Sequence, residues 1–191
     1  MKAKKCKNCG KEFVPMRSTA IACSYLCAKA WVDARNTKLK AQKEKLEAKV
    51  ERQLTKQRKE ALKTRNDYIK EAQVAFNAYI RERDKDKPCI CCGQPLGESA
   101  VGGGYDAGHY RSVGSSPHLR FNEDNCHAQR KYCNNWRSGN AVDYRLGLIK
   151  RIGLDRVEAL EANNEPAKFG IDELKAIKQY YKIKLKELKQ R

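Results

Sequence analysis

The sequence predicts a mainly α-helical chain with small cysteine-stapled α+β modules, and three observations lead to this fold class. Residues 28–87 contain neither Gly nor Pro, so nothing interrupts a long helical segment. Nine cysteines are gathered in a chain of only 191 residues. The mean hydropathy is −0.83 and 34 % of the residues are charged, which leaves too few apolar side chains for one large core.

The charge balance predicts a polyanionic partner. The chain has 41 Lys and Arg against 23 Asp and Glu, a net charge of +18, which is typical of nucleic-acid-binding proteins. Residues 88–140 hold five basic and four acidic side chains, so the basic excess lies in the flanking segments. No run of 18 apolar residues is present, so we expect no contact with a membrane. The basic first residues are not followed by an apolar stretch, so we expect a cytoplasmic location. Cysteines in such a compartment indicate metal ligands rather than disulfides.

The first element is a zinc module predicted over residues 1–30. Cys6 and Cys9 form a CxxCG knuckle, whose glycine lets the backbone fold over a metal ion. Cys23 and Cys27 follow with the i, i+4 spacing that places two sulfurs on one face of a helix start. Four thiolates make a closed tetrahedral zinc site with no open position for catalysis.

The second element is a long basic helix predicted over residues 31–66. Apolar positions from Leu39 to Ile80 recur at intervals of seven, four or eight, the spacing of one helical face. This segment predicts an exposed helix that is either a solvated spacer or a coiled coil, and a coiled coil would permit a homodimer. Aromatic residues enter the stripe at Tyr68, which predicts that a folded domain covers residues 67–191.

Within that domain the sequence indicates a second knuckle followed by helices. Cys89 and Cys92 repeat the CxxCG pattern with the extra thiol of Cys91 inside it. Strand signals are few and confined to about residues 88–120. Helices are expected at Ala141–Ile152, with Gly153 ending the segment, and again from Asp172 to Leu188.

Separated motifs in the central segment carry a family resemblance. DAGHYRSVG begins at Asp106, and it is followed by LRF at Leu119, by NCH at Asn125 and by CN at Cys133. Together they resemble the HNH, or ββα-metal, nuclease module. With the basic helix before them and LGLIKRIG after them, they look like the phage NinG (Rap) recombination family. The resemblance implies an HNH-like ββα-metal core and a metal-dependent, structure-specific endonuclease that cleaves branched DNA, such as Holliday junctions and D-loops, in the bacterial host cell.

The resemblance also implies roles for individual residues. His109 matches the histidine that deprotonates the attacking water, and an imidazole pKa of about 6.5 lies near working pH. Asn125 matches the residue that orients the imidazole by hydrogen bonding. Asn134 matches the ligand of one divalent ion, Mg²⁺ or Mn²⁺, which would stabilise the leaving oxygen. Many HNH modules place another ligand directly before the base, but this chain has Gly108 there, so Asp106 is the candidate.

The second zinc site departs from the family pattern. The expected closing CxxC has Arg130 at its first position, and arginine stays protonated and cannot bind zinc. We expect Cys126 as the fourth ligand; Cys91 is the alternative, and a weakened or lost site is a third outcome. His127 is either a buried helix residue or an auxiliary ligand, and His118 is expected on a surface loop. Two structural zinc ions per chain are therefore predicted, and the ligands predicted for the second are Cys89, Cys92, Cys126 and Cys133.

Basic side chains in and beside the motifs are the expected DNA contacts: Arg111, Arg120, Lys131 and Arg137. Two other classes of protein remain open at this point. One is a non-catalytic zinc-containing protein that binds or anneals DNA during recombination. The other is a zinc-stapled coiled-coil interaction protein. Nuclease activity requires His109 and Asn134, whereas DNA binding requires only the basic flanks.

Overall fold

A computed structural model of the chain describes residues 1–97, 104–166 and 168–190. The chain divides into two compact units, Met1–Leu62 and Lys63–Arg191. Helices dominate both units, and the described strands form two antiparallel sheets of two strands each. The mainly helical fold class with small α+β modules is confirmed. Among the described residues, no helix combines the length and apolar character needed to cross a membrane.

The first unit consists of a short hairpin and one long helix. Strand β1 (Lys4–Lys5) pairs with β2 (Glu12–Phe13), and the hairpin carries the first knuckle. Helix α1 (Tyr25–Ala61) begins earlier than the predicted start at residue 31 because the Ser24 hydroxyl accepts a hydrogen bond from the Cys27 amide and caps it. None of its described side chains is buried.

The second unit begins with helix α2 (Arg65–Arg83), and a break that the sequence analysis did not predict separates it from α1. The break has a capping box. The Thr64 hydroxyl accepts from the Asp67 amide, and the Asp67 carboxylate accepts from the Thr64 amide at 2.8 Å. This reciprocal pair starts a new helix without Gly or Pro, which is why composition alone predicted continuity to Pro88.

The central hairpin joins strands β3 (Tyr105–His109) and β4 (Cys126–Arg130). In the antiparallel register His109 lies opposite Cys126 and Asp106 lies opposite Gln129. Strand β4 lies beyond the predicted end of strand structure at about residue 120. Its sequence, Cys-His-Ala-Gln-Arg, lacks the β-branched residues that are typical of strands, so it carries no local strand signal.

Three helices complete the second unit; the first and the last confirm the sequence prediction, and the one between them was not predicted. Helix α3 (Ala141–Ile152) ends at Gly153, whose φ of +87° is accessible to glycine with little strain. Helix α4 (Leu154–Ala162) and helix α5 (Ile171–Lys189) follow.

Alternate side chains of the hairpin meet different helices. Phe76 of α2 packs on Tyr181 of α5 with ring centroids 4.8 Å apart, and Cys126 joins this cluster. On the other face the buried Tyr144 of α3 donates its hydroxyl to the Gly108 carbonyl at 2.8 Å. The hairpin is therefore held between α2 and α3, which fixes the side chains of β3 on both faces.

Candidate functional site

The N-terminal thiol cluster contains the four predicted ligands. The sulfur atoms of Cys6, Cys9, Cys23 and Cys27 all lie within 4.8 Å of one another. Hydrogen bonding from the Cys9 amide lowers the pKa of Cys6 to about 6, whereas the neighbouring thiols raise the pKa of Cys23 to about 12. A set of four mutually close thiols, one of them readily ionised, fits a structural zinc ion.

The second thiol cluster corrects one predicted ligand. Its four mutually close sulfurs, all within 4.8 Å, belong to Cys89, Cys91, Cys92 and Cys133. Cys91 is thus the fourth thiol, and Cys126 is not part of the cluster. The reason is that β4 is extended: Cys126 lies four residues before Arg130, about 13 Å along a strand instead of one helical turn.

Hydrogen bonds within the second cluster favour a thiolate at Cys89. The hydrogen bond between Cys91 and Cys89 lowers the pKa of Cys89 to about 4 and raises the pKa of Cys91 well above its usual range. The Arg130 amide donates to the Cys89 sulfur at 3.3 Å, and Gln129 Nε2 donates to the Cys91 sulfur at 3.4 Å. This cluster also fits zinc, so the residues present can hold the two predicted structural ions.

His109 lies at the end of β3, and its protonation state follows from its contacts. Its Nε2 is 3.0 Å from the carbonyl oxygen of Arg120, which can only accept, so Nε2 carries the hydrogen. Burial lowers the pKa of the imidazole below its ordinary value, so the ring is neutral at pH 7. Nδ1 therefore has a free lone pair, and the Cys126 sulfur lies 3.8 Å from it.

Asn125 does not touch the imidazole, in contrast to the predicted orienting role. Its buried carboxamide donates to the carbonyls of Arg111 (3.0 Å) and Leu119 (3.2 Å), and accepts from the Arg111 amide at 2.8 Å. These bonds fix the loop between the strands. One of the two carbonyls, that of Leu119, directly precedes Arg120, whose carbonyl lies 3.0 Å from His109 Nε2.

Asp106 and Asn134 are brought together on the other face of the hairpin. Asn134 Nδ2 donates to Asp106 Oδ2 at 3.1 Å. Asn134 belongs to a π-helical turn, Tyr132–Trp136, that begins directly after β4 and includes the cluster ligand Cys133. Since successive side chains of a strand alternate, Asp106 and His109 point to opposite faces of β3.

A buried ionic network beside the hairpin was missed by the sequence analysis. Asp84 is fully buried and contacts Arg83 at 2.7 Å and Lys87 at 2.8 Å. Burial opposes its charge, but His127, Arg83 and Lys87 hold the pKa of the carboxyl well below its usual range. His127 Nδ1 accepts from Arg83 at 2.9 Å, so His127 is a buried strand residue outside the thiol cluster. Within the run RERDKDK, Asp84 has no sequence signal that sets it apart.

The four expected DNA-contacting residues have different surroundings. The Arg111 guanidinium donates to the carbonyls of Leu160 and Asn163 at 2.8 and 2.6 Å, so it closes the end of α4 instead of facing solvent. Arg120 donates to Gln73 Oε1 at 3.2 Å, beside the candidate base. Arg137 is exposed, and Lys131 is partly buried.

Two exposed aromatic side chains on the π-helical turn were not singled out from the sequence. Trp136 is 81 % exposed and Tyr132 is 59 % exposed, although side chains of this size are normally covered in part. They flank Asn134 on the same turn. The sequence did contain a signal for this surface, because Trp136 lies near the candidate residue Asn134 and directly before the basic residue Arg137.

The fold and the two thiol clusters define a strongly basic, helical protein with two sets of four cysteines that can hold a metal ion. The family profile described as "Bacteriophage Lambda NinG protein" matches residues 1–191. The chain belongs to the NinG family.

Curated relatives agree with this assignment. Protein ninG of Escherichia phage lambda is 49 % identical over 125 residues, which cover 65 % of this chain and 59 % of the relative. Protein ninG of Salmonella phage P22 is 46 % identical over 125 residues, covering 65 % and 59 %. The match thus spans about three fifths of the length of these relatives. Comparison with solved structures gives no significant match.

Proposed function

We propose that the protein is a metal-dependent, structure-specific endonuclease that cleaves branched DNA, such as Holliday junctions and D-loops, during phage recombination. The observation that carries this proposal is the central hairpin, which holds a neutral His109 of fixed tautomer on one face of β3 and the Asp106–Asn134 pair on the other. In this proposal β3, β4 and the following turn form an HNH-like ββα-metal core.

His109 is the general base of the proposed reaction. Its Nε2–H is held by the Arg120 carbonyl, so Nδ1 is the atom that takes a proton from water. The lowered pKa keeps the ring unprotonated, and ready to accept, at pH 7. The resulting hydroxide would attack the phosphodiester, and the proposed role of Arg120, beside His109, is to contact a phosphate oxygen.

Asp106 and Asn134 are the proposed ligands of Mg²⁺ or Mn²⁺. A carboxylate and a carboxamide oxygen are the ligand types that these hard cations prefer, and thiols are absent from the pair. When bound, the ion would neutralise the scissile phosphate and stabilise the leaving oxygen. The Asp106–Asn134 hydrogen bond keeps the two side chains adjacent before the ion arrives.

The surface around this turn supports binding of DNA with unpaired bases. Trp136 offers an uncovered indole on which a base can stack, and Arg137 beside it is exposed. Helix α1 adds 11 Lys and Arg against five Asp and Glu over Tyr25–Ala61. In the proposal these basic side chains bind DNA phosphates. Because bound DNA neutralises the positive charge of α1, two copies of the helix would also be able to pair along its apolar stripe and form a homodimer.

One observation favours a non-catalytic DNA-binding protein as the second candidate. The Cys126 sulfur lies 3.8 Å from His109 Nδ1, on the atom that the proposed mechanism uses. Burial raises the pKa of Cys126 far above its usual range, so it is a neutral thiol that can donate weakly to that lone pair. If no water displaces this contact, His109 is structural.

A cleavage assay distinguishes the two candidates. Zinc-loaded protein is incubated with a labelled synthetic four-way junction and with a linear duplex of the same sequence, each with Mg²⁺ or Mn²⁺ and with EDTA. The proposal predicts nicks near the branch point of the junction that EDTA abolishes, and little cutting of the duplex. Binding without cleavage under all metal conditions would favour the accessory protein.

A further inference from the structure

Gln129 has a buried oxygen atom that the fold leaves without a partner. The residue is fully buried on β4, and its Oε1 has no hydrogen-bond partner among the described residues. Its Nε2 donates to the Gly139 carbonyl at 2.7 Å and to the Cys91 sulfur at 3.4 Å. Both neighbours are acceptors, so the opposite amide orientation would place two acceptors against Oε1. The direction of Oε1 is therefore fixed by two contacts.

Oε1 lies in the space that a side chain at position 108 would occupy. A Cβ atom added to Gly108 would be only 2.1 Å from Gln129 Oε1. Gly108 lies two residues after Asp106, so both have the same strand face, and Gln129 is opposite Asp106 in the register. The unpartnered oxygen thus belongs to the face that carries the Asp106–Asn134 pair.

We infer that Gln129 Oε1 is a further oxygen ligand of the divalent ion held by Asp106 and Asn134, and that it takes the place of a side chain at Gly108. This inference rests on the proposed function, which places the ion there. A buried acceptor without a hydrogen-bond partner in the protein costs stability, and a cation supplies the missing interaction. The same carboxamide contacts Cys91, so Gln129 also links this site to the second thiol cluster.

The inference is tested by exchanging the ligand between the two positions. Mn²⁺ binding to zinc-loaded protein is measured by electron paramagnetic resonance for wild type, Gln129→Ala, and two double variants. One double variant is Gly108→Asp with Gln129→Ala, which returns an oxygen ligand on the same face. The other is Gly108→Leu with Gln129→Ala, which fills the space without an oxygen. Zinc content and thermal stability are recorded for each.

The expected result is a loss of Mn²⁺ affinity of about 10- to 100-fold in Gln129→Ala, the range seen when groups around a metal are removed. The Asp double variant recovers most of the affinity, and the Leu double variant does not. Equal Mn²⁺ binding by wild type and Gln129→Ala overturns the inference, as does equal recovery by Leu and Asp. Because Gln129 also tethers the turn at Gly139, Gly108→Ala replaces Gln129→Ala if that protein fails to fold. This variant keeps Gln129, but its new Cβ would lie 2.1 Å from Oε1 and displace it, so Mn²⁺ affinity should fall, and unchanged affinity overturns the inference.

Failure of the inference is distinguishable from failure of the proposed function. If wild type cleaves junctions and Gln129→Ala binds Mn²⁺ normally, only the assignment of Gln129 is wrong. If wild type binds Mn²⁺ through Gln129 but does not cleave, the nuclease proposal is wrong and the ion site remains. If wild type binds no Mn²⁺, the inference is overturned whatever the activity.

Discussion

Replacing Cys91 or Cys126 with alanine separates a metal ligand from a packing residue. Cys91 belongs to the second thiol cluster, whereas Cys126 is fully buried in the core around Phe76. Cys91→Ala leaves three thiolates, from Cys89, Cys92 and Cys133. Structural zinc contributes an apparent free energy of about 10–16 kcal/mol, so an even share is about 3–4 kcal/mol per ligand. Zinc affinity at this site should fall about 100- to 1,000-fold.

Cys126→Ala should keep two zinc ions. It removes one buried sulfur from an apolar cluster, which costs about 1–2 kcal/mol of the free energy of unfolding through lost burial and a small cavity. The total zinc content of both variants is measured by elemental analysis. Their zinc affinity is measured from the amount of zinc released to colorimetric chelators of increasing strength. The reasoning is refuted if Cys126→Ala loses an ion, or if Cys91→Ala retains two ions as firmly as wild type.

Three further changes test the network, the loop and the exposed turn. Asp84→Asn should lower the free energy of unfolding by about 3–5 kcal/mol because Arg83 loses its buried partner. Since the folded-state pKa of Asp84 is depressed, this stabilisation is complete above about pH 4 and declines as the pH falls further, so urea curves of wild type and variant should converge in acid. Asn125→Ala should cost about 2–4 kcal/mol because it removes three buried hydrogen bonds from the interstrand loop, with two zinc ions retained; thermal unfolding at full zinc occupancy checks this, and an unchanged midpoint would contradict it. Trp136→Ala should weaken binding to a four-way junction about 5- to 100-fold in fluorescence anisotropy while Trp136→Phe retains most affinity, and equal losses on junction and linear duplex would argue against stacking on unpaired bases.

The sequence predicted the parts of the fold that depend on local signals. The CxxCG knuckles, the run without Gly or Pro, and the Gly153 stop indicated the first thiol cluster, helix α1 and helix α3. The bounds of α3 are as predicted, whereas α1 begins and ends several residues before the predicted positions. The start of α2 was not predicted because Thr64 and Asp67 form a capping box inside a uniformly polar stretch.

The second site depended on tertiary geometry that the sequence does not contain. Cys126 and Cys91 were both plausible ligands by spacing, and the choice turned on whether residues 126–130 are helix or strand. The resemblance to the family identified the residues of the hairpin, but not how Asn125 acts, since its contacts are to backbone groups. The unpartnered oxygen of Gln129 is likewise visible only once Gly108 lies beside it.

The central claim is that His109 removes the proton from the attacking water. Cleavage of a four-way junction with Mg²⁺ is compared for wild type, His109→Ala and the control His118→Ala, whose partly buried imidazole is hydrogen-bonded to the Asn163 carbonyl at 2.8 Å. We expect His109→Ala to cleave about 100-fold more slowly or worse, with junction affinity and zinc content unchanged, and His118→Ala to cleave normally. Cleavage by His109→Ala at the wild-type rate would exclude His109 as the general base, and loss of zinc in that variant would make His109 a structural residue.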